Sequence, residues 1–205
     1  NLFGGSRGYN DQTIISADIR KYPSAAEIQA NPNHYSQAIK DFMVLHPDLA
    51  GQGGNVNLII NGGTVGNVFG GCDVKGNVEG KINVKVDNSG STTCPLFVGN
   101  VYGASNLTEY TPTGTSNVDS PNVQIFNGTV GGTATFQSGQ LDFVGNVFGG
   151  GNEGKITSSP KVTVGYTDNT KSATVNGNVY GGGNVAEVEG NTKVLLQGNA
   201  EVKTN

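Results

Sequence analysis

The residues that could perform chemistry in this chain are few and widely spaced. Asp73 and Glu153 follow two copies of a recurring glycine-rich motif, at offsets of six and seven residues from its asparagine. Paired carboxylates in a groove are what polysaccharide-cleaving enzymes use as acid and base. These two would lie near one edge but at least one repeat apart, so we interpret them as solvated residues beside a corner. We therefore predict no catalytic residue.

The histidines and cysteines predict no metal site. His34 and His46 are 12 residues apart and have no partner motif, so we expect both at the surface. Cys72 and Cys94 form no C-x-x-C pair and have no histidine near them in sequence, which argues against zinc. In an exported protein they could form one disulfide; otherwise they are two small buried residues. A single aspartate in residues 70–73, with no nonapeptide period, also argues against a calcium roll, and we predict no cofactor.

One motif recurs along the chain and sets its organisation. Residues 145–152 read Gly-Asn-Val-Phe-Gly-Gly-Gly-Asn, and complete or shortened copies occur four more times. The spacing between equivalent asparagines is 33 from Asn67 to Asn100 and 32 from Asn146 to Asn178. Spacings of 66 and 46 elsewhere fit one period with an insertion and one period with a loop; we expect that loop at residues 105–120. A fixed period of this length predicts a repeat architecture.

The segments between the motif copies alternate between apolar and polar residues, which indicates strands with one buried face. The clearest are residues 56–60, 82–86, 123–125, 162–164 and 194–196. A unit of two or three short strands cannot bury its apolar face alone, so we expect the units to stack, with neighbouring strands ~4.8 Å apart. The predicted fold is all-β: a parallel β-helix or β-solenoid of 32–33-residue repeats, forming one domain over residues 1–205.

Residues 20–50 depart from this pattern and predict a small two-helix insertion or cap. Ser24 and Glu27 have the spacing of a capping box at the start of a first helix. A second helix is predicted from Pro32 to the His46-Pro47 pair. Its apolar stripe, expected to face the β body, consists of Tyr35, Ala38, Ile39, Phe42 and Leu45.

Stacking would bring equivalent motif residues into columns. The asparagines Asn1, Asn67, Asn100, Asn146 and Asn178 could form an amide ladder. If the strand alternates strictly and the motif valine faces inward, the aromatic residues form an exposed stripe suited to stacking on sugar rings. These residues are Phe69, Tyr102, Phe148 and Tyr180. If the asparagine lies at a corner, the alternation breaks and the rings enter the core. We predict buried, mutually stacked rings, with the carbohydrate-stacking surface as the alternative.

Composition excludes several classes of partner. The net charge is −4 and the only arginines are Arg7 and Arg20, whereas nucleic-acid binding needs a basic surface. No apolar run approaches the ~18 residues of a membrane span. The chain begins within a motif copy and shows no signal peptide, so we expect a fragment or a processed product.

The motif of residues 145–152, together with Val-x-Gly-Asn-x-x-Val at residues 188–194, resembles the Gly/Asn-rich repeats of large bacterial surface proteins, particularly those of gut anaerobes. The resemblance covers most of residues 51–205 but not the helical insertion. It implies an extracellular or cell-surface, adhesin-like β-solenoid without catalytic residues. We therefore expect a non-enzymatic structural or adhesive segment whose partners are glycans, a host or neighbouring cell surface, or flanking repeats of the same protein. The alternative is a carbohydrate-binding or polysaccharide-cleaving parallel β-helix.

Overall fold

The computed structural model describes residues 1–5, 18–19, 22–51, 54–90, 95–112 and 118–203. The strands in this part of the chain are short and follow one another closely. They are β1 (Leu2–Phe3), β2 (Asp18–Ile19), β3 (Val56–Ile60), β4 (Gly63–Phe69), β5 (Asn77–Val78), β6 (Ile82–Asp87), β7 (Leu96–Tyr102), β8 (Val118–Val130), β9 (Gly132–Phe136), β10 (Gly139–Phe143), β11 (Val147–Phe148), β12 (Ser159–Val164), β13 (Ser172–Val175), β14 (Val179–Tyr180), β15 (Lys193–Leu196) and β16 (Asn199–Val202).

Strands from successive copies of the motif pair in parallel and in register. Val68 is opposite Val101, Val101 is opposite Val147, and Val147 is opposite Val179. At the other side of β4, Leu2 of β1 is opposite Val68. The predicted pairing of equivalent motif positions is therefore confirmed.

The alternating segments pair in the same way and belong to one large, mostly parallel sheet with the motif strands. The order is β3, β6, β8, β12 and β15, and β13 lies between the later part of β8 and β16. Their inward residues form apolar columns because parallel strands in register place like side chains side by side. One such column is Leu58, Val84, Val123, Val162 and Val194.

The chain turns a corner at the motif asparagine. In β7, Val98 and Val101 are both fully buried although they are three residues apart, which strict alternation along a straight strand does not permit. The alternation therefore breaks at Gly99 and Asn100, between the two valines. The motif valine consequently points into the main core.

An antiparallel hairpin was not predicted. β9 and β10 pair with each other, with Thr133 opposite Asp142, and the 12 residues 132–143 account for most of the 13 by which the 46-residue spacing exceeds the 33-residue period. The loop expected at residues 105–120 explains this 46-residue spacing only in part, because Tyr110 within it is fully buried and bridges in parallel to Ile156. The signal for the hairpin was present: residues 132–143 alternate around a two-residue turn, Gln137-Ser138, which is followed by Gly139 at φ +114°.

The helical segment contains α1 (Ala25–Ala30), α2 (Gln37–Leu45) and a 3₁₀ turn, Pro47–Leu49. The predicted capping box is confirmed, since Ser24 and Glu27 bond reciprocally at the start of α1. The predicted start of the second helix was wrong, because α2 begins after Ser36. Ser36 is the N-cap, and its Oγ accepts a hydrogen bond from the amide of Ile39.

The predicted apolar stripe was also partly wrong. Leu45 is 75% exposed, and the buried residue of α2 is Met43. The later start of the helix removes Tyr35 from it, and Phe42 stacks on Tyr22 with ring centroids 5.6 Å apart. The helices pack mainly on each other and on the 3₁₀ turn. Neither helix in the described residues has the length and apolar character needed to cross a membrane.

Candidate functional site

The motif aromatics form a continuous stack, which we call the aromatic column: Phe3, Phe69, Tyr102, Phe148 and Tyr180. Successive ring centroids are 5.0, 4.7, 5.0 and 4.9 Å apart, and the planes of neighbouring rings differ by 7–10°. Each inner ring therefore has both faces against another ring. A sugar ring needs a free aromatic face, so the inner rings have none to offer.

The aromatic column lies beside the main core and not within it. Val68 points into the core. Gly70 faces the same way, because a Cβ added there would lie 2.5 Å from Cγ2 of the core residue Ile82. Phe69 lies between these two residues and therefore points to the other side of the strand. Phe69 and Phe148 are nonetheless buried, Tyr102 is half-buried and its pKa is raised by burial, and Tyr180 is 43% exposed. The prediction of stacked rings is confirmed, and their predicted burial is confirmed for Phe69 and Phe148 but not for Tyr180; the rings lie outside the main apolar cluster.

The predicted amide ladder forms at three of its five positions. Nδ2 of Asn67 donates to Oδ1 of Asn1 at 3.1 Å, and Nδ2 of Asn100 donates to Oδ1 of Asn67 at 2.9 Å. The next two contacts instead run from backbone to side chain: Oδ1 of Asn100 accepts from the amide of Asn146, and Oδ1 of Asn146 accepts from the amide of Asn178, both at 2.9 Å. The amide of Gly145 also donates to Oδ1 of Asn100, at 3.2 Å.

A second ladder was not predicted, and we call it the Asp73 ladder. Asn106 donates through Nδ2 to Oδ1 of Asp73 at 2.8 Å, Asn152 to Asn106 at 3.0 Å, and Asn184 to Asn152 at 2.9 Å. All four residues lie six positions after a motif asparagine, so the repeat alone could have identified the ladder. The ladder has a direction, because a carboxylate accepts hydrogen bonds whereas an amide both donates and accepts.

The motif glycines are required by the closeness of neighbouring copies. A Cβ at Gly103 would lie 2.1 Å from the carbonyl oxygen of Gly149, and one at Gly149 would lie 2.3 Å from that of Gly181. The backbone N–H groups make the corresponding bonds: Gly103 donates to the carbonyl of Phe148 and Gly149 to that of Tyr180, both at 2.9 Å. These glycines therefore serve stacking between copies.

The two carboxylates considered for catalysis are not placed as a pair. Asp73 is the first residue of its ladder and binds Asn106, whereas Glu153 is exposed and follows Asn152, one copy further on. The copy that carries Asn106 therefore lies between the two carboxylates. Among the described residues, no group of three or more His, Cys, Asp and Glu side chains is arranged to hold a metal ion.

A cluster of charged and aromatic residues lies at the end of β6, and we call it the Asp87 cluster: Lys85, Asp87, Phe126, Tyr166 and Lys171. Lys85 and Lys171 each place Nζ 3.0 Å from Oδ2 of Asp87, whose side chain is 7% exposed. Burial works to raise the pKa of Asp87, but hydrogen bonds from Ser89, Lys171 and Lys85 outweigh it, so the pKa lies well below its ordinary value.

Two aromatic rings line the same cluster. Nζ of Lys171 lies 4.3 Å from the ring centroid of Tyr166, and Nζ of Lys85 lies 5.5 Å from that of Phe126. The two rings meet edge to face at 5.1 Å. The cluster thus holds two cations, one anion and two rings, and an anion could approach the more exposed Lys85.

Buried polar groups elsewhere serve the core. The Tyr110 hydroxyl donates to the carbonyl of Gly80 at 2.7 Å and therefore accepts from Ser120 Oγ, which itself accepts from the amide of Ile82. Burial raises the pKa of Tyr110 to about 12. Cys72 is also buried, while Cys94 lies outside the described residues, so their disulfide stays a prediction.

Two of the grooves formed by described residues are considered as binding sites. One of about 340 Å³ lies between the helices and is lined by Ala25, Ile28, Gln29, Lys40, Met43, Val44 and Pro47. The other, of about 260 Å³, lies on the outer face of β3, β6 and β8 and includes Lys85 of the Asp87 cluster. Neither groove contains an acid–base pair.

Comparisons of the chain with models of protein families, with curated proteins and with solved structures give no match. The interpretation of function therefore rests on the residues and their geometry.

Proposed function

We propose that this chain is a non-enzymatic structural or adhesive segment of an exported bacterial surface protein, built as a β-solenoid of 32–33-residue repeats. The observation that carries the proposal is that the repeated residues bond to one another. Motif asparagines, aromatics and glycines each contact the equivalent residue of the next copy. A repeat whose recurring residues contact their equivalents in the next copy is typical of a structural scaffold.

The parallel pairing supports the solenoid interpretation. Equivalent positions 32 or 33 residues apart are neighbours in β4 and β7, and again in β11 and β14. Insertions such as the β9–β10 hairpin lengthen one repeat without breaking the pairing, which is how repeat proteins accommodate extra segments.

An activity assay tests the non-enzymatic part of the proposal. Purified protein is incubated with a panel of neutral and acidic polysaccharides, and new reducing ends are measured. We expect none. Cleavage that disappears in the Asp73→Asn or Glu153→Gln variant would overturn the proposal.

The location is tested separately on cells of the source organism. An antibody raised against the purified chain is expected to label intact cells as strongly as permeabilised ones. Labelling only after permeabilisation would contradict export.

Carbohydrate binding is the second candidate function, and the Asp87 cluster is the observation that favours it. Two ammonium groups share one carboxylate there, beside two rings and a surface groove. This arrangement would suit an acidic sugar better than a neutral one. Binding to an acidic glycan on an array, lost in Lys85→Met and Lys171→Met but kept in Tyr180→Ala, would support this candidate against a purely structural role.

A further inference from the structure

At the edge formed by β14, β15 and β16, apolar residues are uncovered whose equivalents in the preceding copy are buried. Tyr180 is 43% exposed, whereas Phe148 before it in the aromatic column is 3% exposed. Val194 is 45% exposed, whereas Val162, its partner in the sheet, is fully buried. Each strand of this edge is paired on one side only in the described residues.

From this edge we infer a docking surface for a further parallel strand segment that carries the same Gly-Asn-Val-(Phe/Tyr)-Gly-Gly-Gly-Asn motif. The inference rests on the proposed scaffold function and names its partner. It is an interface of the kind the chain already makes between its own copies, continued by one more copy.

Backbone hydrogen bonding at the edge specifies the partner's direction. Within the stack, the glycine after each aromatic donates to the carbonyl of the next aromatic: Gly70 to Tyr102, Gly103 to Phe148 and Gly149 to Tyr180, all at 2.9 Å. The equivalent donor at the edge is the N–H of Gly181. A backbone carbonyl of a parallel strand would satisfy it, and in the existing copies that carbonyl belongs to the motif aromatic.

The Asp73 ladder specifies a polar residue in the partner. Asn184 uses Nδ2 to donate to Asn152, which leaves its Oδ1 as the acceptor for the next position. The residue that continues the ladder must therefore be a donor, as asparagine is in the motif. A partner with an aspartate at this position would place a carboxylate against the amide oxygen.

A second copy of this chain does not fit the edge equally well. The opposite side of the sheet includes β3, where Ile60, the equivalent of Leu196, is 4% exposed and Leu58, the equivalent of Val194, is half-buried. That side therefore lacks the uncovered apolar column that Val194 and Leu196 present. The edge accordingly fits a further repeat better than it fits the other side of the same molecule.

Gly182 provides a variant that blocks the docking without disturbing the chain. Its equivalent, Gly150, has no room for a side chain because a Cβ would lie 2.8 Å from the amide nitrogen of Gly183 in the next copy. At Gly182 itself, the nearest atom to an added Cβ is Cγ2 of Val188 at 3.6 Å, which is an ordinary contact. Gly182→Gln should thus fold normally and clash only with a docked segment.

The experiment measures binding of a fluorescently labelled synthetic peptide with the sequence of residues 145–176 to the full chain, by fluorescence anisotropy. We expect saturable binding by the wild type and at least about tenfold weaker binding by Gly182→Gln, because a built-in clash removes affinity for the fitted partner. The matched control is Gly90→Gln, since an added Cβ at Gly90 meets nothing within 4 Å; it should bind as the wild type does. A peptide with serine in place of Val147 and Phe148 should not bind.

Hydrogen exchange checks that each variant is folded and locates the peptide: bound peptide should slow exchange at Gly181 and along β15. Absence of binding by folded wild-type protein, or equal binding by Gly182→Gln, would overturn the inference. Concentration-dependent dimers in sedimentation velocity that Gly182→Gln abolishes would also overturn it, in favour of a second copy. None of these results tests the proposed scaffold function. That proposal would be contradicted separately, by cleavage of polysaccharides.

Discussion

Nδ2 of Asn106 lies 2.8 Å from Oδ1 of Asp73, one repeat away, and Oδ1 of Asn106 accepts from Asn152 at 3.0 Å. Asn106 therefore has to donate on one side and accept on the other. Only a side chain with both capacities fits this position, and a carboxylate at the start of the ladder sets the direction of the bonds that follow.

Exchange of donor and acceptor tests this ladder. Asn106→Asp should lower the free energy of unfolding by about 1–3 kcal/mol, because it leaves Asp73 without its donor and faces it with a like charge. Adding Asp73→Asn should restore most of the loss, because the new amide can donate to the new carboxylate. Urea denaturation of the two single variants and the double variant measures the coupling, and additive losses would contradict the ladder.

The aromatic column predicts a difference between its inner and outer rings. Phe148→Ala should cost about 3–5 kcal/mol, because the ring is buried between Tyr102 and Tyr180 and its loss leaves a cavity. Tyr180→Ala is the matched control and should cost clearly less, since that ring is 43% exposed and stacks on one side only. Denaturant melts of both variants check this, and a Phe148→Ala protein as stable as the wild type would refute the stacking role.

The glycines of the motif predict overpacking on substitution. Gly103→Ala should destabilise by about 1–3 kcal/mol or more, because its Cβ would meet the backbone oxygen of Gly149 and force the copies apart. Gly90→Ala should stay within about 0.5 kcal/mol of the wild type, since nothing lies within reach of the added carbon. Thermal unfolding of the pair is sufficient, and equal melting temperatures would show that the copies are not held at this distance.

Asp87 predicts an acid-dependent loss of stability. Its pKa is depressed in the folded protein, so the unfolded chain binds a proton more readily, and the stabilisation is present above the unfolded pKa of about 4. It is lost progressively as the pH falls below that value towards the folded pKa. Unfolding free energies measured between about pH 2.5 and 7 should therefore decline more steeply for the wild type than for Asp87→Asn. Parallel profiles would mean that Lys85 and Lys171 do not hold this carboxylate ionised.

The local patterns were sufficient for much of the architecture. The capping box at Ser24 and Glu27, the alternating strands and the register of the motif copies all follow from residues close in sequence or separated by one period. The Asp73 ladder belongs with them, because its members share one offset from the motif. Stacking in parallel and in register converts a sequence period directly into contacts, which is why these features can be derived without coordinates.

The amino-acid sequence by itself thus determined the repeat, the β character and the identity of the stacked residues. The tertiary structure alone decided the side of the strand on which the rings lie, the placement of Phe143 over Gly66 and Gly99, and the meeting of Lys171 with Asp87 across 84 residues. It also decided that Val194 and Tyr180 stay uncovered at one edge. These features depend on corners and on inserted segments of irregular length, and the sequence period does not specify the position of either.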